Sequence, residues 1–271
     1  MGAQQLSQPF GDEPYDEVRL PGAPLVRVLS QLRFERLSVL DGPNAAGTFA
    51  SALSDSYPYL DTSAELNVVI GGGQVMQMPQ PTSQTVWRLR SADKTRTVTL
   101  TNGSLSLETA SYEGRDKFCM ELHRVTEALQ NVVRVPAINR IGVRYTNQVT
   151  GPPLENLAKY FRQEVTGIST VPLGKAELQH CLTQASFITG EGTGLVSQWG
   201  MMPSNSGFDP ALPVLAEPSY VLDLDAYRQA SAIDANPSRI QSTALTLAEH
   251  AYRYLRWAVT VEFLRQYGGD V

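Results

Sequence analysis

Two cysteines in 271 residues leave this chain without a disulfide framework. Cys119 and Cys181 lie far apart in amphipathic segments, and each reads as a small buried side chain. Long apolar runs are also missing. Nothing approaches the roughly 18 consecutive apolar residues of a membrane helix, so no span is predicted. Residues 1–24 lack the basic start and apolar stretch of a signal peptide, and the expected compartment is the cytoplasm. Lysine is scarce too: Lys94, Lys117, Lys159 and Lys175 stand among a majority of arginines. Arginine is the better residue for planar, bidentate contacts. There is no basic excess, because the net charge is −5. That argues against tight non-specific nucleic-acid binding while leaving room for a local basic face.

What is present is an ordinary globular composition, 42% hydrophobic, long enough to bury a core without a metal or cross-link. Residues 1–23 are polar and punctuated by proline and glycine, which predicts a loosely held arm ahead of one domain over 24–271. Leu25–Phe34 alternates as a half-buried strand, with Arg27, Gln31 and Arg33 on one face. A short helix is expected over Asn44–Asp55, then a β-branched strand over Glu65–Ile70 before the turn Gly71-Gly72-Gly73. Thr85–Arg90, Thr95–Thr101 and Ser104–Thr109 alternate cleanly, and Asn102-Gly103 between two of them is a strong hairpin signal. Arg115–Val133 has helical spacing.

The pattern then restarts. Ile138–Val149 reads as a strand and Pro153–Val165 as a helix. Glu177–Thr189, Gly194–Met202 and Ser219–Asp225 read as strands. A long helix follows, capped at Asn236-Pro237 and stopping at Gly268-Gly269. Two pseudo-repeats, about 24–134 and 135–271, thus share one order of elements. The expected fold is α+β: two β-α-β(3–4)-α halves joined in a long antiparallel sheet, with helices on one face. The order resembles pseudo-symmetric saddle folds of the TATA-binding type and helix-grip folds, a likeness that carries no function.

No nucleophile elbow, Cys-x-x-Cys pair or phosphate-cradling loop is present. Gly190-Glu191-Gly192-Thr193-Gly194 precedes a strand and reads as a turn. His123, His180 and His250 fall in separate elements, so no metal-ligand spacing exists, and no cofactor is expected. Asp223 and Asp225 share a strand face, about 7 Å apart, and form the clearest carboxylate pair for holding a cation or an arginine cluster. Arginines form the richer constellation. Arg140 and Arg144 share a face with Gly142 between them, and Arg88 and Arg90 share a face of another strand. If these strands join one sheet, its helix-free face is arginine-lined, either to bind an anion or to pair with the chain's own acids.

Several of these segments resemble a sporadically distributed bacterial family of uncharacterised proteins. Pro24-Leu25-Val26 with Gln31-Leu32-Arg33-Phe34 resembles its opening, and Trp87-Arg88-Leu89 its Trp-Arg-Phe strand. Arg140-Ile141-Gly142-Val143-Arg144-Tyr145-Thr146-Asn147 resembles its Arg-x-Gly-x-Arg-Tyr-x-Asn signature, and Leu222-Asp223-Leu224-Asp225 with the last helix its C-terminal third. The likeness covers roughly residues 24–267. It departs at Arg27, where the family often has an acid, and at Leu89, where it often has an aromatic. The resemblance implies no activity; its patchy distribution suggests accessory genes of phage defence or toxin–antitoxin modules.

The leading expectation is therefore a non-catalytic binding protein with a protein partner or a second copy of itself. The apolar breadth of the last helix, with Tyr254, Trp257 and Val261 off its main stripe, is compatible with either deep burial or a dimer. A second expectation is a binder of a nucleotide or other small anion at Arg33, Arg88, Arg140, Arg144, Tyr145 and Asn147. A third is a metal-dependent hydrolase using Asp223 and Asp225.

Overall fold

The computed structural model describes residues 6–66 and 83–271. The turn at Gly71-Gly72-Gly73 and most of the strand expected over Glu65–Ile70 lie outside the described residues. The strands are β1 Leu25–Arg33, β2 Tyr59–Leu66, β3 Ser83–Arg90, β4 Arg96–Leu100, β5 Ser104–Thr109, β6 Ala137–Val149, β7 Thr183–Gly190, β8 Thr193–Met202 and β9 Ser219–Asp234. The helices are α1 Pro43–Ala52, α2 Arg115–Val132, α3 Leu157–Tyr160, α4 Gln163–Thr166, α5 Pro237–Ala258 and α6 Val261–Gln266. The fold is α+β, with one nine-stranded antiparallel sheet in the order β2-β3-β4-β5-β1-β6-β9-β8-β7. In each half the first strand is followed by the far strands, and the meander returns so that its last strand neighbours the first. Thus β5 lies beside β1, and β9 beside β6.

The chain divides into two compact units. One comprises residues 1–28, 142–228 and 245–271; the other comprises 29–141 and 229–244. The divisions fall inside β1, β6, β9 and α5.

In the second unit the pleat sorts side chains by face. Leu89 pairs with Val98 and Val98 with Leu107, each at most 1% exposed. Trp87, Leu100 and Leu105 form the next buried row. The amphipathic helix α2 supplies Phe118, Leu122, Val125 and Leu129 to the same core. Burial pushes the Cys119 thiol up to about 12, as expected of a core filler. The predicted hairpin turn is present: Thr101 N–H donates to the Ser104 carbonyl around Asn102-Gly103.

In the first unit the helices sit on one face of β7–β9. Tyr220 of β9 donates to the Val165 carbonyl and packs on Phe161, and Phe187 of β7 packs on Tyr254 of α5. Three sequence expectations need correction there. The helix predicted over Pro153–Val165 is broken: Phe161 is extended (φ −129°, ψ 151°) and bridges to Val259. Tertiary bonds win over helical spacing at that point, because Arg162 N–H donates to Ala258 O and Thr260 N–H to Tyr160 O. The long last helix breaks at the same place, and Thr260 caps α6 by accepting from Phe263 N–H. The strand expected from Glu177 begins only at Thr183.

Residues 6–23 hold no helix or strand, yet the expected loose arm is pinned over this stretch. Leu6 and Val18 are buried. Tyr252 Oη accepts from Val18 N–H at 2.7 Å, and Arg253 donates to the Glu13 carbonyl at 3.0 Å while its guanidinium lies 4.8 Å from the Tyr15 ring centre. Arg256 donates to the Asp16 carbonyl and Arg162 to the Leu6 carbonyl. Polar composition conceals this anchoring, because the partners of the arm are its own carbonyls.

Candidate functional site

Each predicted site residue falls on a strand, and its unit decides its company. Arg33, Arg88 and Arg140 belong to the second unit; Arg144, Tyr145, Asn147, Asp223 and Asp225 belong to the first.

Arg144 projects from β6 onto the face opposite the helices and meets two carboxylates. Its Nε lies 2.9 Å from both oxygens of Asp223, and its Nη1 lies 2.9 Å from Asp209 Oδ2. Thr146, two residues along the same face, donates to Asp223 Oδ1 at 2.6 Å. Asp209 also holds Arg27 at 3.4 Å. The Phe208 ring lies 5.9 Å from the Arg144 guanidinium. Asp223 is 3% exposed and Arg144 partly exposed, so this ion pair, buried on its carboxylate side, cross-links β6, β9 and the loop after β8. Burial opposes the Arg144 charge, but Asp223, with help from Asp209 and Asp225, outweighs it and raises its pKa. Burial pushes the Asp223 carboxyl above its usual value, against the pull of Arg144 and Thr146.

Tyr145 and Asn147 do not join Arg144. Strand alternation sends them to the other face, and Asn147 is buried there, donating to the Leu222 carbonyl at 3.2 Å. The expected cluster of Arg144, Tyr145 and Asn147 is therefore split across the sheet. The carboxylate pair is also committed: both oxygens of Asp223 accept from Arg144, so a cation there must first displace the guanidinium. Among the described residues no group of three His, Cys, Asp or Glu side chains is arranged to hold a metal. Asp209 went unseen in the sequence because nothing in its Phe-Asp-Pro turn announces a partner 65 residues away. Thr146 was legible, standing two residues from Arg144.

The second unit presents a different arginine face. Pairing sets two polar rows across four strands. Asp61, Arg88, Thr99 and Ser106 form one; Tyr59, Arg90, Thr97 and Glu108 form the other. All of the β3–β5 members are partly exposed. Arg88 donates to Ser63 Oγ at 2.6 Å, and Arg90 reaches Asp61 at 3.4 Å across an exposed pair. Arg33 is exposed on β1, where its Nε donates to Gln31. Arg140 is partly exposed on β6. Here the guanidinium groups share their rows with hydroxyls and with the carboxylates of Asp61 and Glu108.

No protein-family model matches the chain, and no curated protein matches it. Among the described residues no helix is long and apolar enough to cross a membrane.

Proposed function

We propose that this chain is a binding protein without chemistry of its own, and that it takes an anionic group on the open face of β3–β5. The carrying observation is the row Arg88–Thr99–Ser106, set directly beside Arg90–Thr97 by the strand register. A guanidinium with flanking hydroxyls supplies several donors to a phosphate or carboxylate in a fixed, pre-paid geometry. Of the expected binding residues, Arg88 is retained as the centre, and Arg33 and Arg140 are the other two that fall in that unit. Arg144 serves as a structural cross-link. The repeated order of elements in the two halves supports an origin by internal duplication.

This reading fits a bacterial accessory protein of a phage-defence or toxin–antitoxin module, acting in the cytoplasm with a protein partner or a second copy. Its test is titration of the full chain with inorganic phosphate, nucleoside triphosphates and a single-stranded oligonucleotide. Saturable binding weakened about tenfold or more by Arg88→Ala, with unchanged circular dichroism, is the expected result. Indifference of every probe to Arg88→Ala and Arg90→Ala together overturns it. Tight binding of the oligonucleotide alone would reassign the face to nucleic acid.

A further inference from the structure

Among the described residues each end of the sheet offers an edge, and the two differ in how they are guarded. At one end, β2 carries Asp61 and Glu65 along its length. Charges on an edge strand discourage another strand from pairing with it. At the other end, β7 reads Thr-Gln-Ala-Ser-Phe-Ile-Thr-Gly, with no charge and no proline in eight residues. It is rich in β-branched and aromatic side chains, and its neighbour β8 is uncharged as well. Ladder pairing occupies only its β8 side. Among the described residues no other backbone hydrogen bond reaches Thr183–Gly190. Ile188 is 90% exposed, the highest value among the large apolar side chains of the described residues, and Leu182 just ahead of the strand is 45% exposed.

We propose that β7 is a homodimerisation edge, pairing antiparallel with β7 of a second copy about a two-fold axis. The chemistry recognised is a row of backbone N–H and C=O groups about 26 Å long, which only an extended strand can satisfy. A second copy fits best because this strand is compatible with itself. A two-fold perpendicular to the sheet keeps each residue on its own face, so Gln184, Ser186 and Ile188 meet only one another, and Ala185, Phe187 and Thr189 likewise. No like charges are brought opposite in any register, although each copy carries a net charge of −5. The same contact is closed, which stops the edge from templating further growth. Pairing would also shelter Ile188 beside its two-fold mate. The inference deepens the reading of an interaction protein but is independent of the anion face, which lies in the other unit.

The test is sedimentation velocity of the full chain over a wide concentration range, with hydrogen exchange of residues 183–190 followed in parallel. The wild type is expected to form dimers, with amide protection in β7 rising with concentration. Ile188→Lys should weaken the dimer about tenfold or more, and Ser186→Lys with Ile188→Lys should abolish it by placing lysine opposite lysine. Both side chains point to solvent, so circular dichroism and the binding of the anionic probes should stay as in the wild type. Arg88→Ala should leave the dimer intact, which separates failure of this proposal from failure of the anion site. A wild type that is monomeric at every concentration, assembles beyond two copies, or dimerises equally with both lysines present overturns the assignment.

Discussion

Arg144 and Arg88 look alike in the sequence: each stands on an alternating strand, on the face away from the buried row. In the structure they have opposite roles. Arg144 is gripped by Asp223 and Asp209 and seals a loop onto its sheet. Arg88 stands among Ser63, Thr99 and Ser106, in a setting that can exchange one polar partner for another. An arginine on an open face is thus a site or a rivet according to how deeply the carboxylate beside it is buried: Asp223 is 3% exposed, whereas Asp61, opposite Arg88, lies in an exposed pair with Arg90. A buried ion pair is costly to break because the survivor remains charged and dry, whereas a hydroxyl neighbour can turn back to water.

That contrast can be broken by substitution. The largest effect is expected for Asp223→Ala, which strips Arg144 and Thr146 of their shared acceptor. Urea unfolding should show a loss of about 3 kcal/mol, and a loss below about 1 kcal/mol would mean that the pair is not the cross-link described. Acid should act on the same unit by a different route. Burial lowers the pKa of His250 on α5, with Glu249 opposing and Arg253 assisting. The unfolded chain therefore takes up a proton first as pH falls below about 6.5. The contribution of this histidine is fully present above that value and lost on the way down through its lower folded pKa. The slope has a ceiling of about 1.4 kcal/mol per pH unit, and His250→Gln should flatten the acid limb of a stability-against-pH curve.

Asp209→Asn sharpens the comparison further. It keeps the shape of the side chain but removes its charge from Arg27 and Arg144, which are both partly exposed. A cost of about 1 kcal/mol is expected, with faster proteolytic cleavage between residues 203 and 218 as the direct readout. The smallest stability change belongs to Arg88→Ala, within about 0.5 kcal/mol. Its effect should appear in ligand affinity instead. If Arg88→Ala destabilised the chain as much as Asp223→Ala, the two arginines would have the same role.

Local rules made much of this fold legible. Alternation located β1, β3, β4, β5 and β6, and Asn102-Gly103 marked its hairpin, because both signals are written within a few residues. The α+β class and the repeated order of elements followed from those pieces. The failures share a cause. The helix expected through Phe161 breaks because Ala258 and Tyr160 form bonds across about 100 residues of sequence. The arm looked loose because many of its anchors are backbone groups, which have no sequence signature, and its buried side chains Leu6 and Val18 stand singly in a polar stretch. The candidate site was half visible: spacing put Arg140 and Arg144 on one face, and the same spacing, applied two residues further, excludes Tyr145 and Asn147. Asp209 could not be found this way, because a loop has no period.

The pinned segment also sets an order of events during synthesis. Tyr15 donates to Glu249, a partner 234 residues further along the chain. At roughly 5–20 residues per second, those two residues leave the ribosome roughly 10–50 s apart. Leu6, Tyr15 and Val18 are thus among the first described residues made and among the last to find their places. Residues 29–141 can begin to collapse while the first unit still lacks its final helices. A nascent chain of this protein must therefore hold Tyr15 and Val18 without their α5 partners until Glu249 and Tyr252 have been made.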